Sequence, residues 1–146
     1  MTLRKIPRRS IQVAALALAL VLVFAGCMSE GQTAVQNEMN ADRKASRLSS
    51  LPTHDQLNAK AQAWAEKIAR DGKLSHSNLS SGVPSCWRSL GENVGYGGSA
   101  ASVQDAYMRS SGHRANILSS KWKYVGVGFA KAGNRVYTVQ VFMQGC

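Results

Sequence analysis

Thirteen consecutive apolar residues, Val13 to Ala25, follow a basic start and stand apart from everything after them. Beyond them the chain mixes apolar and polar positions in two successive periods. Val35, Met39 and Leu48 fall on one loose helical face between Ala34 and Leu48. Ser49-Ser50-Leu51-Pro52 ends that segment, since proline cannot continue a helix and restricts the residue before it. Leu57, Ala61, Trp64, Ala65 and Ile68 then recur at three- and four-residue steps with lysines and acids opposite, which predicts an amphipathic helix with Trp64 in its packing face. Thr53 and Gln56 predict a capping box at its start, and Gly72 a glycine stop. Residues 75–91 read as a long loop rich in Ser, Gly and Pro, and Gly91–Gly98 offers a very short strand among glycines. Val103–Met108 predicts a helix with Ser99 or Ser102 near its cap, and His113–Leu118 one further turn. The period then becomes two. Tyr124–Phe129 and Arg135–Phe142 flank Ala132-Gly133-Asn134 and predict a hairpin, with Gly126 and Gly128 allowing another segment to lie close against one face. Helices first and strands last predict an α+β domain in which helices cover a small antiparallel sheet.

The apolar run at the front is short of the ~20 residues that a permanent span requires, and small residues close it, so residues 1–26 read as an export signal, with an uncleaved anchor as the alternative. The boundary Phe24-Ala25-Gly26-Cys27 resembles the lipobox of bacterial lipoproteins. That resemblance implies that Cys27 is acylated and holds the protein on the outer face of a bacterial membrane, in the cell envelope. Residues 27–33 are then the lipidated cysteine and a short polar tether, and residues 34–146 the domain. The chain has three cysteines, an odd number for an exported protein. Lipidation of Cys27 leaves Cys86 and Cys146, which can pair in an oxidising compartment.

The chain has 146 residues, 45% hydrophobic and 18% charged, the balance of one folded domain rather than of a disordered chain. Its formal charge of +10 is partly the export segment's: without Arg4, Lys5, Arg8 and Arg9, 14 bases face 8 acids, or +6. The remaining bases are scattered and do not interleave with aromatics, so nucleic acid is not an expected partner.

Polar residues capable of chemistry fall in three places: His76 in Leu-Ser-His-Ser, Glu92 in Gly-Glu-Asn-Val, and His113 with Arg114 and Asn116. Two imidazoles and a carboxylate are a common divalent-metal set and equally an acid/base set, although spacings of 16 and 21 residues form no local motif. The segments together resemble the CAP superfamily of cysteine-rich secretory, antigen 5 and pathogenesis-related proteins. Trp64-Ala65, Ala69, Gly72, Leu74, His76 and Ser77 carry one block, and Gly91-Glu92-Asn93 a second. Tyr107–Leu118 carries a third in its bacterial form, and Gly126–Phe129 the ending. The resemblance covers about residues 34–146 and implies a three-layer α-β-α sandwich with a surface cleft. Carried over by position, His76, Glu92 and His113 are its candidate metal ligands, for Zn²⁺ or another divalent ion. The family's second acid falls near Ser110 and is absent. The function so implied is a membrane-anchored binding module for an envelope lipid, glycan or protein, with Trp87, Tyr96 and Trp122 as candidate apolar lining. The alternative is a metal-dependent, peptidase-like hydrolase using the same three residues, and a third reading is a structural domain with an inert cleft.

Overall fold

The computed structural model describes residues 27–146, and the expected export signal over residues 1–26 lies outside the described residues. Four helices, α1 (Glu30–Ala45), α2 (Asp55–Asp71), α3 (Ala100–Arg109) and α4 (Ser111–Ile117), accompany three strands, β1 (Trp87–Gly97), β2 (Tyr124–Ala132) and β3 (Arg135–Gly145). The sheet is antiparallel in the order β1-β3-β2. Two cores flank it. On one face Leu57, Ala61, Ala65 and Ile68 of α2 pack against Val139, Val141 and Met143. On the other, Val35 and Met39 of α1, Val103 and Tyr107 of α3 and Ile117 of α4 pack against Val125, Val127 and Phe142. The result is the expected three-layer α-β-α sandwich.

Three of the boundaries that differ from expectation have a clear physical cause. α1 begins at Glu30, so most of the expected tether is helix: the Ser29 hydroxyl accepts from the Gln32 N–H and the Gln32 side chain accepts from the Ser29 N–H, a complete capping box. α2 is capped by His54, not Thr53. Residues 52–54 lie along the β2 edge, where Val125 N donates to Pro52 O at 3.1 Å and His54 N to Val125 O at 3.2 Å. His54 is therefore the last extended residue, and its Nδ1 accepts from Gln56 N. The strand expected to be very short runs for 11 residues, because β3 is central and its second edge must be paired.

The glycines of β2 set the distance between layers. A Cβ on Gly126 would lie 2.2 Å from the backbone of Leu57, and one on Gly128 2.1 Å from Ala61 O. With α2 that close, its amide side chains reach the free edge of β2. Asn58 Oδ1 accepts from Val127 N at 3.0 Å, and Gln62 both accepts from Phe129 N and donates to Phe129 O at 2.9 Å. Gln32 of α1 donates to Val127 O at 2.8 Å. Together with Pro52 and His54, these groups occupy the hydrogen-bonding positions through which an open edge strand recruits other chains. Cys86 and Cys146 are joined as a disulfide, Cα–Cα 5.5 Å, which ties the start of β1 to the end of β3.

Candidate functional site

The loop after α2 carries His76 and Ser77 over β1, where Glu92 projects toward the α2 side of the sheet. Glu92 is buried, with 2% of its side chain exposed, whereas the His76 side chain is 64% exposed. Three protein donors hold the buried carboxylate. Its Oε1 accepts from His76 Nδ1 at 2.7 Å and from Ser77 N at 2.9 Å, and its Oε2 accepts from Ser77 Oγ at 2.6 Å. A carboxylate accepting the Nδ1–H orients the His76 ring. Lys60 of α2 stands nearby, donating to Asn78 O at 2.8 Å and Ser81 O at 2.7 Å. Its ammonium is held below the usual lysine range by burial, an effect that the Glu92 charge opposes.

His113 comes to the same neighbourhood from α4. Its ring packs on Tyr107 at a centroid distance of 4.9 Å, and its backbone O accepts from Asn93 Nδ2 at 3.2 Å. Burial lowers its pKa first, and the nearby His76 lowers it further, which favours the neutral ring. Burial also raises the Tyr107 phenol far above its usual range. The phenol is committed to Thr138, through the carbonyl at 3.0 Å and the hydroxyl at 2.9 Å.

The structure thus joins His76 directly to Glu92 and brings His113 within electrostatic reach. It does not assemble the three as a ligand set: among the described residues no three His, Cys, Asp or Glu side chains are grouped to hold a metal ion. Within the site, Ser77 and His76 donate to both Glu92 oxygens. Ser110 caps neither helix with its side chain. Trp122, a candidate lining residue, is 3% exposed and belongs to the core, donating Nε1–H to Asn116 O at 2.7 Å. Trp87 and Tyr96 are exposed near the two ends of β1.

Of the other two members of the site, Ser77 belongs to the family block around His76, whereas Lys60 carries no signal of its role in the sequence. A cavity of about 590 Å³ opens beside them between α2 and the following loop. Ala59, Ala63 and the half-buried Trp64 supply apolar wall, and Lys60, Lys67 and Arg70 supply positive charge. Cys27 is exposed and precedes α1.

A three-stranded antiparallel sheet between one helix and three, with a paired His and Glu at the edge strand, defines a class of α-β-α sandwich domains. Residues 36–143 match the Cysteine-rich secretory protein family, CAP, and the chain belongs to that family. Uncharacterized protein YkwD of Bacillus subtilis (strain 168) is 28% identical over 110 residues, covering 69% of this chain and 42% of that protein. The chain therefore spans less than half the length of this curated relative. An outer surface protein from Borrelia burgdorferi shares the fold with a TM-score of 0.71 at 18% identity, over 83% of this chain and 97% of that one. An extracellular protein containing a SCP domain from Bacillus anthracis str. Ames does so with a TM-score of 0.65 at 20% identity, over 82% and 45%.

Proposed function

We propose that this protein is an extracytoplasmic binding domain of the bacterial cell envelope, anchored through acylated Cys27, and that its recognition surface is the His76–His113 region with the adjoining cavity. The observation that carries this reading is the engaged Glu92 carboxylate. It orients His76, and both its oxygens are taken by protein donors, so its role is positioning rather than general base catalysis. The cavity supports the same reading, because an apolar wall with a basic rim suits a ligand that has an apolar body and an anionic head. The matched outer-surface and extracellular proteins agree in location with an exported chain.

A three-ligand zinc centre made of His76, Glu92 and His113 does not fit this donor set. The donors that remain are the two imidazoles, with Glu92 as the outer carboxylate of His76. A divalent ion held by His76 and His113 would supply a Lewis-acidic anchor for a ligand oxygen. In the hydrolase alternative the nearby carboxylate is Glu92, whose two oxygens already accept from His76 and Ser77.

Calorimetric titration of the full chain with Zn²⁺, alongside His76→Ala and His113→Ala, tests the metal part. One-site binding lost in both variants is expected. No saturable binding would remove the metal and leave the cavity as the ligand site. Lipid retained through purification, seen by native mass spectrometry and lost in Trp64→Ala, is the expected result for the cavity. Metal-dependent peptide turnover lost in His76→Ala would overturn the binding reading in favour of the hydrolase.

A further inference from the structure

At the C-terminal end of α1, away from the His76–Glu92 pair, lies a second cavity of about 350 Å³ whose described lining holds Arg43, Arg47 and Lys123 and no Asp or Glu. We propose that this cavity is an anion site that takes a phosphate group, with these three cations as its donors. It is a different site from the cleft and does not depend on what the cleft binds.

Arg43 is 2% exposed. Its Nε donates to Ser49 O at 2.9 Å, and its Nη1 to Ile117 O at 2.7 Å and Ser119 O at 2.9 Å. These bonds lock the guanidinium in place, and they use carbonyls rather than a counter-charge. Among the described residues the ion pairs are Lys67–Asp71 and His76–Glu92, so Arg43, Arg47 and Lys123 have no carboxylate partner there. Nη2 of Arg43 makes no hydrogen bond among the described residues, yet it is not a sealed, unsatisfied atom. Arg43 lines the cavity, and Nη2 is the guanidinium nitrogen left without a protein acceptor.

Arg47 supports the same site independently. It is the non-glycine residue with positive φ, 60°, among the described residues. It occupies the left-handed position of a Schellman turn: Leu48 N donates to Arg43 O at 2.9 Å, and Arg47 N to Lys44 O at 2.9 Å. Glycine or asparagine is the low-strain residue at such a position. A helix C-terminus favours cations, which accounts for Lys44 on the last turn. It does not account for arginine at the left-handed position, where the side chain adds strain and lines the cavity. Lys123 lines the same space, with hydroxyl-bearing Ser50 and Ser120 beside the cations and Trp122 as part of the wall. Lys121 lies over the Trp122 indole at 4.2 Å and adds a further positive charge close by.

Phosphate suits this arrangement better than a single carboxylate. Its several oxygens and its charge of about one to two can be met by a fixed guanidinium, a second arginine and a lysine point charge together. The anion can be free phosphate or the phosphate ester of a lipid headgroup or envelope polymer, and the test separates these sources.

The test is calorimetry on the full chain in a non-ionic detergent, titrated with sodium phosphate and with glycerol 3-phosphate, against sodium chloride of equal ionic strength. Saturable binding of at least one phosphate compound, and none of chloride, is expected. Arg47→Gly keeps the left-handed turn, so its thermal midpoint should not fall, while its phosphate affinity should drop ~10-fold for the loss of a charge-assisted contact. Lys123→Gln should weaken binding similarly with the fold intact. Tighter binding of glycerol 3-phosphate assigns the site to esterified phosphate, and tighter binding of inorganic phosphate to the free anion. Absence of phosphate binding, or binding unchanged in Arg47→Gly, overturns the proposal.

Discussion

The side-chain amide of Asn93 donates to Gln140 Oε1 at 3.0 Å inside the α1/α3/α4 face of the sheet, and this bond is the middle of a one-directional relay. Asn116 donates to Asn93 Oδ1 at 3.0 Å, Gln140 to Gln104 Oε1 at 2.8 Å, and Gln104 to Asp42 Oδ2 at 2.7 Å. Each amide donates to the next residue's oxygen, and the chain ends on a carboxylate. The relay thereby ties α4, which carries His113, through β1, β3 and α3 to α1. Asn93→Leu would remove the donor to Gln140 Oε1 and to the His113 carbonyl, and leave Asn116 only its longer bond to Glu92 O at 3.3 Å. Denaturant unfolding should show a loss of about 3 kcal/mol, the range for orphaned buried polar groups. A loss no larger than a surface substitution would mean the relay does not hold the layer.

The close approach of α2 to β2 gives a second prediction. Gly128→Ala places a methyl group against the Ala61 carbonyl, which is backbone and cannot rotate away. The helix must lift, breaking the Asn58 and Gln62 bonds to the strand edge. The expected cost is about 3 kcal/mol, with added aggregation from the uncovered edge, read by unfolding and by light scattering.

The Cys86–Cys146 bridge joins residues 60 positions apart. In the chain-entropy treatment its loss is worth about 4 kcal/mol. Cys86→Ser with Cys146→Ser should therefore unfold at clearly lower denaturant than the oxidised protein. Identical midpoints would show that the sandwich does not rely on the bridge.

His113 couples stability to pH. Burial, aided by His76, holds its folded pKa below the ordinary imidazole value. The unfolded chain then takes up a proton more readily than the folded one. Its contribution is complete above pH ~6.5 and is lost as pH falls through the depressed folded value. In His113→Gln the slope of stability against pH in that acidic window should flatten, and in His76→Gln it should lessen. An unchanged slope in His113→Gln would assign the acid sensitivity to another group.

The proposed anchoring rests on the exposed Cys27. Cys27→Ser should move the protein from the membrane to the soluble extracytoplasmic fraction and abolish incorporation of labelled fatty acid. Unaltered fractionation without acyl label in the native protein would exclude a lipid anchor there.

Elements with local signals were legible along the chain. The period of Leu57, Ala61, Ala65 and Ile68 marks α2, the alternation around Gly133 marks the hairpin, and Gly72 marks a stop, because each follows from side-chain direction or backbone freedom within one element. The family motifs likewise singled out His76, Glu92 and His113, of which the structure pairs His76 with Glu92. Ser29 and Gln32 spelled a capping box that the polar composition of the segment concealed. Other features exist only once the layers pack. His54 caps α2 because the residues before the helix pair with Val125, far along the chain, and stay extended up to that point. The length of β1 depends on β3 having a second edge to fill. Above all, packing sets what Glu92 does. A carboxylate's role follows from how many donors surround it once buried, and Ser77 and His76 take that capacity through contacts that spacing along the chain does not encode.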